Sequence, residues 1–105
     1  MKLKNVNKIL FERYISILEK NHHYETDVIE CSKEYLIKMC KSAIENINDF
    51  PDDKTSRWLW YVQWVMSSRW FIKVSEERDF SRSLFHEVYK SNSIEIPPKV
   101  DLKIN

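Results

Sequence analysis

The sequence contains no glycine, although average usage would place about seven in a chain of 105 residues. Glycine-rich loops that cradle phosphates are therefore excluded by composition. No apolar run approaches the roughly 18 residues that a membrane helix needs, and Lys2, Lys4 and Lys8 interrupt any signal-peptide core. We expect a soluble, cytoplasmic protein with no membrane partner.

Cysteine is scarce, and its placement argues against both disulfides and metal. Cys31 and Cys40 lie in one helical pattern, so their Cα atoms would be about 13 Å apart, too far for a disulfide. Free thiols indicate a reduced compartment. His22, His23 and Cys31 match no established zinc spacing. We expect no metal and no other cofactor.

The composition is that of one small globular domain, with 43% hydrophobic and 31% charged residues. The net charge of +1 is unevenly spread, because an acidic middle segment at 21–53 separates basic segments at 1–20 and 54–90. This alternation fits self-association, or docking of opposite faces, at least as well as nucleic-acid binding, which usually shows one clustered basic excess. So small a domain has limited room for burial, and its many aromatic residues could complete the core by self-association. The sequence therefore predicts a homo-oligomer, with nucleic acid as a less favoured partner.

Apolar residues recur every three or four positions in the first half of the chain, which is typical of amphipathic helices. The first such stripe covers 3–18. Asp27 and Glu30 resemble a capping box and predict a second helix over 28–48.

The second half of the chain shows two further helical patterns. The break at 50–53 carries aspartates that could cap a third helix over 54–70. Ser75, followed by Glu76 and Glu77, predicts the start of a fourth helix, since a hydroxyl cap and carboxylates suit the positive end of a helix. Its predicted buried face is Phe80, Leu84 and Val88, with Phe85 beside it.

These patterns predict an all-α fold, a small four-helix bundle in which helices two and three form an antiparallel hairpin. The helical domain covers 1–90. In the tail, 91–105, Pro97 and Pro98 forbid helix, so an extended or disordered segment is expected.

Two segments of the central third resemble a family of small, uncharacterised phage and prophage helical proteins. Residues 57–66 read R-W-L-W-Y-V-Q-W-V-M and residues 77–86 read E-R-D-F-S-R-S-L-F-H. The family pattern is R-W-L-G-[YF]-[VI]-Q-G followed by E-R-D-[FK]-[TS]-R-P-L-F-H. This chain departs from it at Trp60 and Trp64, where the family has glycine, and at Ser83, where it has proline. The resemblance implies a phage-type accessory protein and brings no stated activity.

Three tryptophans stand where helix physics favours glycine. Trp70 occupies the predicted position just past the third helix, and Trp60 and Trp64 would form a small-xxx-small face if they were glycine. One hypothesis is that UGA codons of the source gene encode glycine. The alternative is that all three tryptophans are genuine, and the sequence leaves both open.

A basic stripe on the fourth helix is the main candidate site. Arg78, Arg82 and His86 are spaced by four, so they share one face, and Asp79 belongs to the same motif. This face could bind a phosphate, a nucleotide or a nucleic acid, with Arg57 and Arg69 joining from the third helix. The alternative is a solvated face whose charges pair with neighbouring carboxylates.

Two residues of the third helix complete the candidate binding set. The indole of Trp58 could stack on a ligand or partner, or lie in the core, and Gln63 could recognise a polar edge or set the register of an oligomer interface.

No nucleophile is linked by spacing to Asp79 and His86, so we expect no enzyme. The leading hypothesis is a non-enzymatic accessory protein that binds a host or phage protein through a helical surface. The alternatives are a binder, or sponge, of an anionic nucleotide at an oligomer interface, and a nucleic-acid-binding protein.

Overall fold

The computed structural model describes residues 2–21, 26, 28–69 and 71–91. These residues form four α-helices: α1 (Leu3–Lys20), α2 (Lys33–Glu45), α3 (Asp52–Ser68) and α4 (Val74–Ser91), with a short 3-10 helix at Ile29–Cys31. They contain no strand, which confirms the all-α, four-helix prediction. No helix in the described ranges is long and apolar enough to cross a bilayer.

The first helix is the centre of the bundle. It contacts each of the other three helices, and α2 also contacts α3 across a short connection, as predicted for the hairpin. The apolar stripe of α1 is fully buried at Val6, Leu10, Phe11, Tyr14 and Leu18. Apolar burial of this kind is the main favourable contribution to folding, so α1 organises the core.

The second helix begins later than the sequence predicts. Its N-cap is Ser32, whose Oγ accepts a hydrogen bond of 3.2 Å from the backbone nitrogen of Tyr35. The predicted start at Asp27 and Glu30 is therefore wrong, because Glu30 belongs to the 3-10 helix, and Asp27 itself lies outside the described residues. The helix also ends before position 48: its last residue is Glu45 and its C-cap is Asn46. Nδ2 of Asn46 donates to the carbonyl of Ser42 over 2.8 Å.

The third helix begins two residues before its predicted start. Pro51 precedes it, and neither aspartate caps it through a side chain, although Asp52 and Asp53 both lie in its first turn, where their charge suits the helix dipole. At its end, the nitrogen of Phe71 donates to the carbonyl of Met66 over 3.0 Å, the six-residue bond of a Schellman end. Trp70 lies outside the described residues.

The fourth helix buries most of its predicted face, with Val88 in the core and Leu84 and Phe85 packed against it, but differs at its first turns. Phe80 is 37% exposed, whereas Glu77, Ser81 and Val88 are buried and Leu84 is half-buried. The prediction for Phe80 is therefore wrong: the charged Glu77 turns inward because α1 supplies partners for its carboxylate. The predicted tail beyond position 91 lies outside the described residues.

Candidate functional site

An open groove of about 570 Å³ lies between α3 and α4. It exists because both helices pack on α1 and have little contact with each other. Its volume falls in the range of small-molecule sites. The lining from α3 is Trp60, Gln63 and Ser67; the lining from α4 and the segment before it is Ile72, Val74, Glu77, Arg78, Ser81, Arg82, Phe85, His86 and Tyr89.

A chain of side-chain hydrogen bonds joins the three helices beneath the groove. Gln63 Nε2 donates to the hydroxyl of Tyr14 over 2.7 Å, and Tyr14 in turn donates to Oε1 of Glu77 over 2.5 Å. Nε and Nη2 of Arg13 each donate to Oε2 of Glu77 over 3.2 Å. Burial is the main cause that raises the pKa of Tyr14 well above its ordinary value, and the hydrogen bond to Glu77 raises it further. The phenol therefore keeps its proton and remains the donor in the bond to Glu77. The groove therefore rests on a fixed polar base.

The same arginine covers an aromatic ring outside the groove. The guanidinium carbon of Arg13 lies 4.1 Å from the ring centroid of Phe80, within the range of a cation–π contact. Arg13 thus holds the first turns of α4 through two kinds of contact, with Glu77 and with Phe80.

The α4 wall of the groove is basic. Arg78 is exposed, and the Arg82 side chain, 26% exposed, has Asp79 as a partner at 4.0 Å, a distance typical of a weak ion pair. His86 is half-buried beside Tyr89, with ring centroids 6.4 Å apart. The one carboxylate among the described lining residues belongs to Glu77, whose oxygens are bound by Arg13 and Tyr14. The two guanidiniums therefore dominate the charge of the groove.

Ser81, which lies between these two arginines in the sequence, has a buried hydroxyl with an unusual environment. The residue is 8% exposed, its Oγ is buried, and that atom has no hydrogen-bond partner among the described residues. Buried hydroxyls are normally hydrogen-bonded, so this atom calls for an explanation.

Half of the predicted site residues meet in the groove. Gln63, Arg78, Arg82 and His86 all line it. The spacing of four on one helix was enough to bring the α4 residues together, because such positions share a face.

The other predicted residues lie elsewhere. Arg57 is exposed on α3 and pairs with Asp53 at 3.9 Å. Trp58 lies on the opposite side of α3, with its ring edge-on to Phe50 at 5.3 Å. Arg69 follows α3, and its Nη2 donates to Oγ1 of Thr26 over 3.5 Å. Asp79 is exposed and lies outside the groove lining.

Sequence reasoning missed Trp60, Ser81, Phe85 and Tyr89 as site residues. The three on α4 follow Arg78 at helical spacing, so a search for one continuous face that includes uncharged residues would have found them. Trp60 and Trp64 are 67% and 69% exposed, so neither indole crowds a contact between the described helices. The recoding hypothesis and its alternative both stay open.

Among the residues that the structure describes, no three histidine, cysteine, aspartate or glutamate side chains are grouped so that they could hold a metal ion. His22 and His23 lie outside these residues.

Comparison of the chain with protein-family models, with curated proteins and with solved structures found no match. The resemblance of the central segments to phage proteins therefore stays a prediction.

Proposed function

We propose that this protein is a non-enzymatic binding protein that takes an anionic small molecule of nucleotide type into the groove between α3 and α4. The observation that carries the proposal is the presence of Arg78, Arg82 and the exposed indole of Trp60 in one groove of suitable volume. The resemblance of the central segments adds a phage-type accessory role, and the groove could be completed by a second copy of the chain.

The residue types fit such a ligand. Guanidinium groups bind phosphate through paired, charge-assisted hydrogen bonds, and Arg78 and Arg82 are spaced so that both can reach one ligand. The indole of Trp60 and the rings of Phe85 and Tyr89 offer apolar, planar surface for a base.

The non-enzymatic part of the proposal rests on how the polar groups are connected. The buried hydroxyl of Ser81 on α4 donates to no base among the described residues, so it lacks there the partner that would activate it as a nucleophile. Glu77 is bound by Arg13 and Tyr14, which keeps its carboxylate from acting as a general base.

A second candidate, binding of a host or phage protein, is favoured by the exposed indoles of Trp60 and Trp64. They lie one turn apart on α3 and are both about two-thirds exposed. Tryptophan is enriched at the energetic centres of protein interfaces. Nucleic acid is the less favoured partner, because the arginines of the groove form a short patch and have acidic neighbours such as Asp79.

A thermal-shift screen tests the proposal. Nucleoside monophosphates, diphosphates, triphosphates and cyclic nucleotides would be added at millimolar concentration to the wild type, Arg82→Ala and Arg57→Ala. Arg57 is the matched control, because it is an arginine on α3 outside the groove. We expect at least one nucleotide to raise the Tm of the wild type and the control by several degrees, and to have little effect on Arg82→Ala.

A wild-type Tm that responds to no nucleotide would overturn the proposal. In that case the protein-binding candidate becomes the better one, and a single partner whose binding is lost in Trp64→Ala would support it. Sedimentation of the free and ligand-bound protein would show whether the groove is completed by a second copy.

A further inference from the structure

We propose that the groove contains a seat for a terminal phosphate, a phosphomonoester, formed by Arg78, Ser81 and Arg82 of α4. The proposal rests on the proposed function and names the chemical class of its ligand. The observation behind it is the buried, unpartnered hydroxyl of Ser81 on the same groove wall as the two arginines.

The buried hydroxyl points to a ligand atom. Ser81 is more than nine-tenths buried, it lines the groove, and its Oγ lacks a hydrogen-bond partner among the described residues. Leaving such a group unpaired destabilises the folded protein, whereas a ligand oxygen in the groove would pair it. A ligand oxygen that enters the groove would satisfy this hydroxyl once the Ser81 side chain turns toward it.

The position of Ser81 on α4 makes it part of a set of donors. It follows Arg78 by three residues and precedes Arg82 by one, so all three side chains leave the same side of the helix and line the groove. Two guanidinium groups and one hydroxyl on this wall offer three sets of donors to one ligand. A phosphomonoester has three non-bridging oxygens to receive them, whereas a carboxylate or a phosphodiester has two.

The nearby carboxylate does not oppose an anion. Glu77 lies one turn before Ser81, and both of its oxygens are occupied, Oε2 by Arg13 and Oε1 by Tyr14. Arg13 also balances its charge at 3.2 Å. The charge at the seat is therefore set mainly by Arg78 and Arg82, because the other nearby carboxylate, Asp79, is exposed and lies 4.0 Å from the Arg82 guanidinium.

The rest of the ligand would face α3. Trp60 and Gln63 form the opposite wall, with an exposed indole for a planar ring and an amide at the edge. A nucleoside 5′-monophosphate combines a planar base with a terminal phosphate, and it is the smallest nucleotide that does so.

The test is calorimetric titration of the wild-type protein with the four common nucleoside 5′-monophosphates, the matching nucleosides, the 3′,5′-cyclic monophosphates and inorganic phosphate. We expect at least one 5′-monophosphate to bind about tenfold or more tightly than its nucleoside and its cyclic form, since two or more charge-assisted bonds are lost without the terminal phosphate. This comparison needs no variant.

Two serine variants then locate the effect. Ser81→Ala is expected to weaken binding of the monophosphate about tenfold, to leave nucleoside binding unchanged, and to unfold at the same or a higher denaturant concentration than the wild type. Ser83→Ala is the matched control on the same helix, because Ser83 is exposed, lies outside the groove lining and donates to the carbonyl of Phe80. It should bind as the wild type does.

The outcomes separate the two proposals. If no nucleotide binds, the proposed function and the phosphate seat both fail. If the 5′-monophosphates bind no better than their nucleosides or cyclic forms, or if Ser81→Ala binds the monophosphate as the wild type does, the seat fails and the function stands. A Ser81→Ala protein that is clearly less stable than the wild type would assign the hydroxyl a structural role and also overturn the seat.

Discussion

Tyr14 and Glu77, 63 residues apart in sequence, share a hydrogen bond of 2.5 Å in which the phenol donates to Oε1. Tyr14 is fully buried and also accepts from Gln63, so one hydroxyl connects α1 with both walls of the groove. Such a bond is sheltered from competing water, which increases the cost of breaking it.

We predict that Tyr14→Phe lowers the free energy of unfolding by about 1–3 kcal/mol, because Glu77 and Gln63 would each lose a buried partner. Urea denaturation measures the change. Tyr35→Phe is the control, since Tyr35 is exposed, and it should stay within about 0.5 kcal/mol of the wild type. Equal losses in the two variants would contradict the role of the Tyr14 hydroxyl.

We predict that replacing the buried Asn7 stabilises the folded protein. This residue of α1 is 1% exposed, and neither its Nδ2 nor its Oδ1 has a hydrogen-bond partner among the described residues. Asn7→Leu replaces two buried polar atoms by methyl groups on a side chain of the same branching, and we expect a gain of about 1–3 kcal/mol in the free energy of unfolding. A loss of stability would show that the amide has a partner, and comparison with Asn5→Leu, at an exposed position of the same helix, controls for helix propensity.

Stability should fall at alkaline pH. Burial raises the pKa of the Cys40 thiol from 9.0 to about 12, and burial, followed by the hydrogen bond with Cys31, raises the pKa of Tyr61 from 10.0 to about 12. Tyr14 shifts in the same direction. Groups with raised pKa values keep their protons longer in the folded state, so their contribution is complete below about pH 9 and is lost as the pH rises above it.

Urea denaturation between pH 7 and pH 11 measures this dependence, and Tyr14→Phe isolates one contributor. Above pH 10 the variant should lose stability less steeply than the wild type, because it lacks a phenol that the unfolded chain would ionise. Identical slopes would show that Tyr14 does not contribute to the alkaline loss.

Because the indoles of Trp60 and Trp64 are exposed, we predict that glycine at either position changes stability only slightly. Trp60→Gly and Trp64→Gly remove side chains that are 67% and 69% exposed, so the main change is the poorer helix propensity of glycine, about 0.5 kcal/mol at each position. Thermal unfolding of both variants should show a small decrease in Tm. A clear increase would contradict the exposure of the indoles and would indicate a close helix contact, such as one between two copies.

The origin of these tryptophans is a separate question with a direct measurement. Mass spectrometry of the protein from its native source would show tryptophan or glycine at 60, 64 and 70. Tryptophan at all three positions would end the recoding hypothesis.

The sequence predicted the four helices because their apolar spacing reports local geometry, which does not depend on the rest of the chain. It misplaced the start of α2, since Ser32 and not Asp27 precedes the helical backbone. On α4 it identified Leu84 and Val88 but missed the burial of Glu77 for a long-range reason. Hydropathy marks Glu77 as a surface residue, and only the approach of Arg13 from α1 makes its burial favourable.

For the candidate site, too, local spacing was predictable and tertiary placement was not. Arg78, Arg82 and His86 could be grouped from their spacing alone, because they share one helix. Arg57 and Trp58 could not be excluded, since their positions relative to the groove depend on how α3 is rotated against α1. In the sequence Ser81 resembles any polar residue of a helix. The lack of a hydrogen-bond partner for its hydroxyl among the described residues follows only from its three-dimensional surroundings.

The groove separates α4 from α3, so among the described helices α4 is attached mainly to α1. Glu77 borders the groove on one side and a smaller cleft that contains Arg13 on the other. A ligand that touches both walls would add a second attachment for α4. The backbone amides of this helix should then exchange with deuterium more slowly than in the free protein, whereas those of α2 should change little. Hydrogen exchange would therefore detect occupancy of the groove as a local tightening of one helix, even for a ligand that leaves the average structure unchanged.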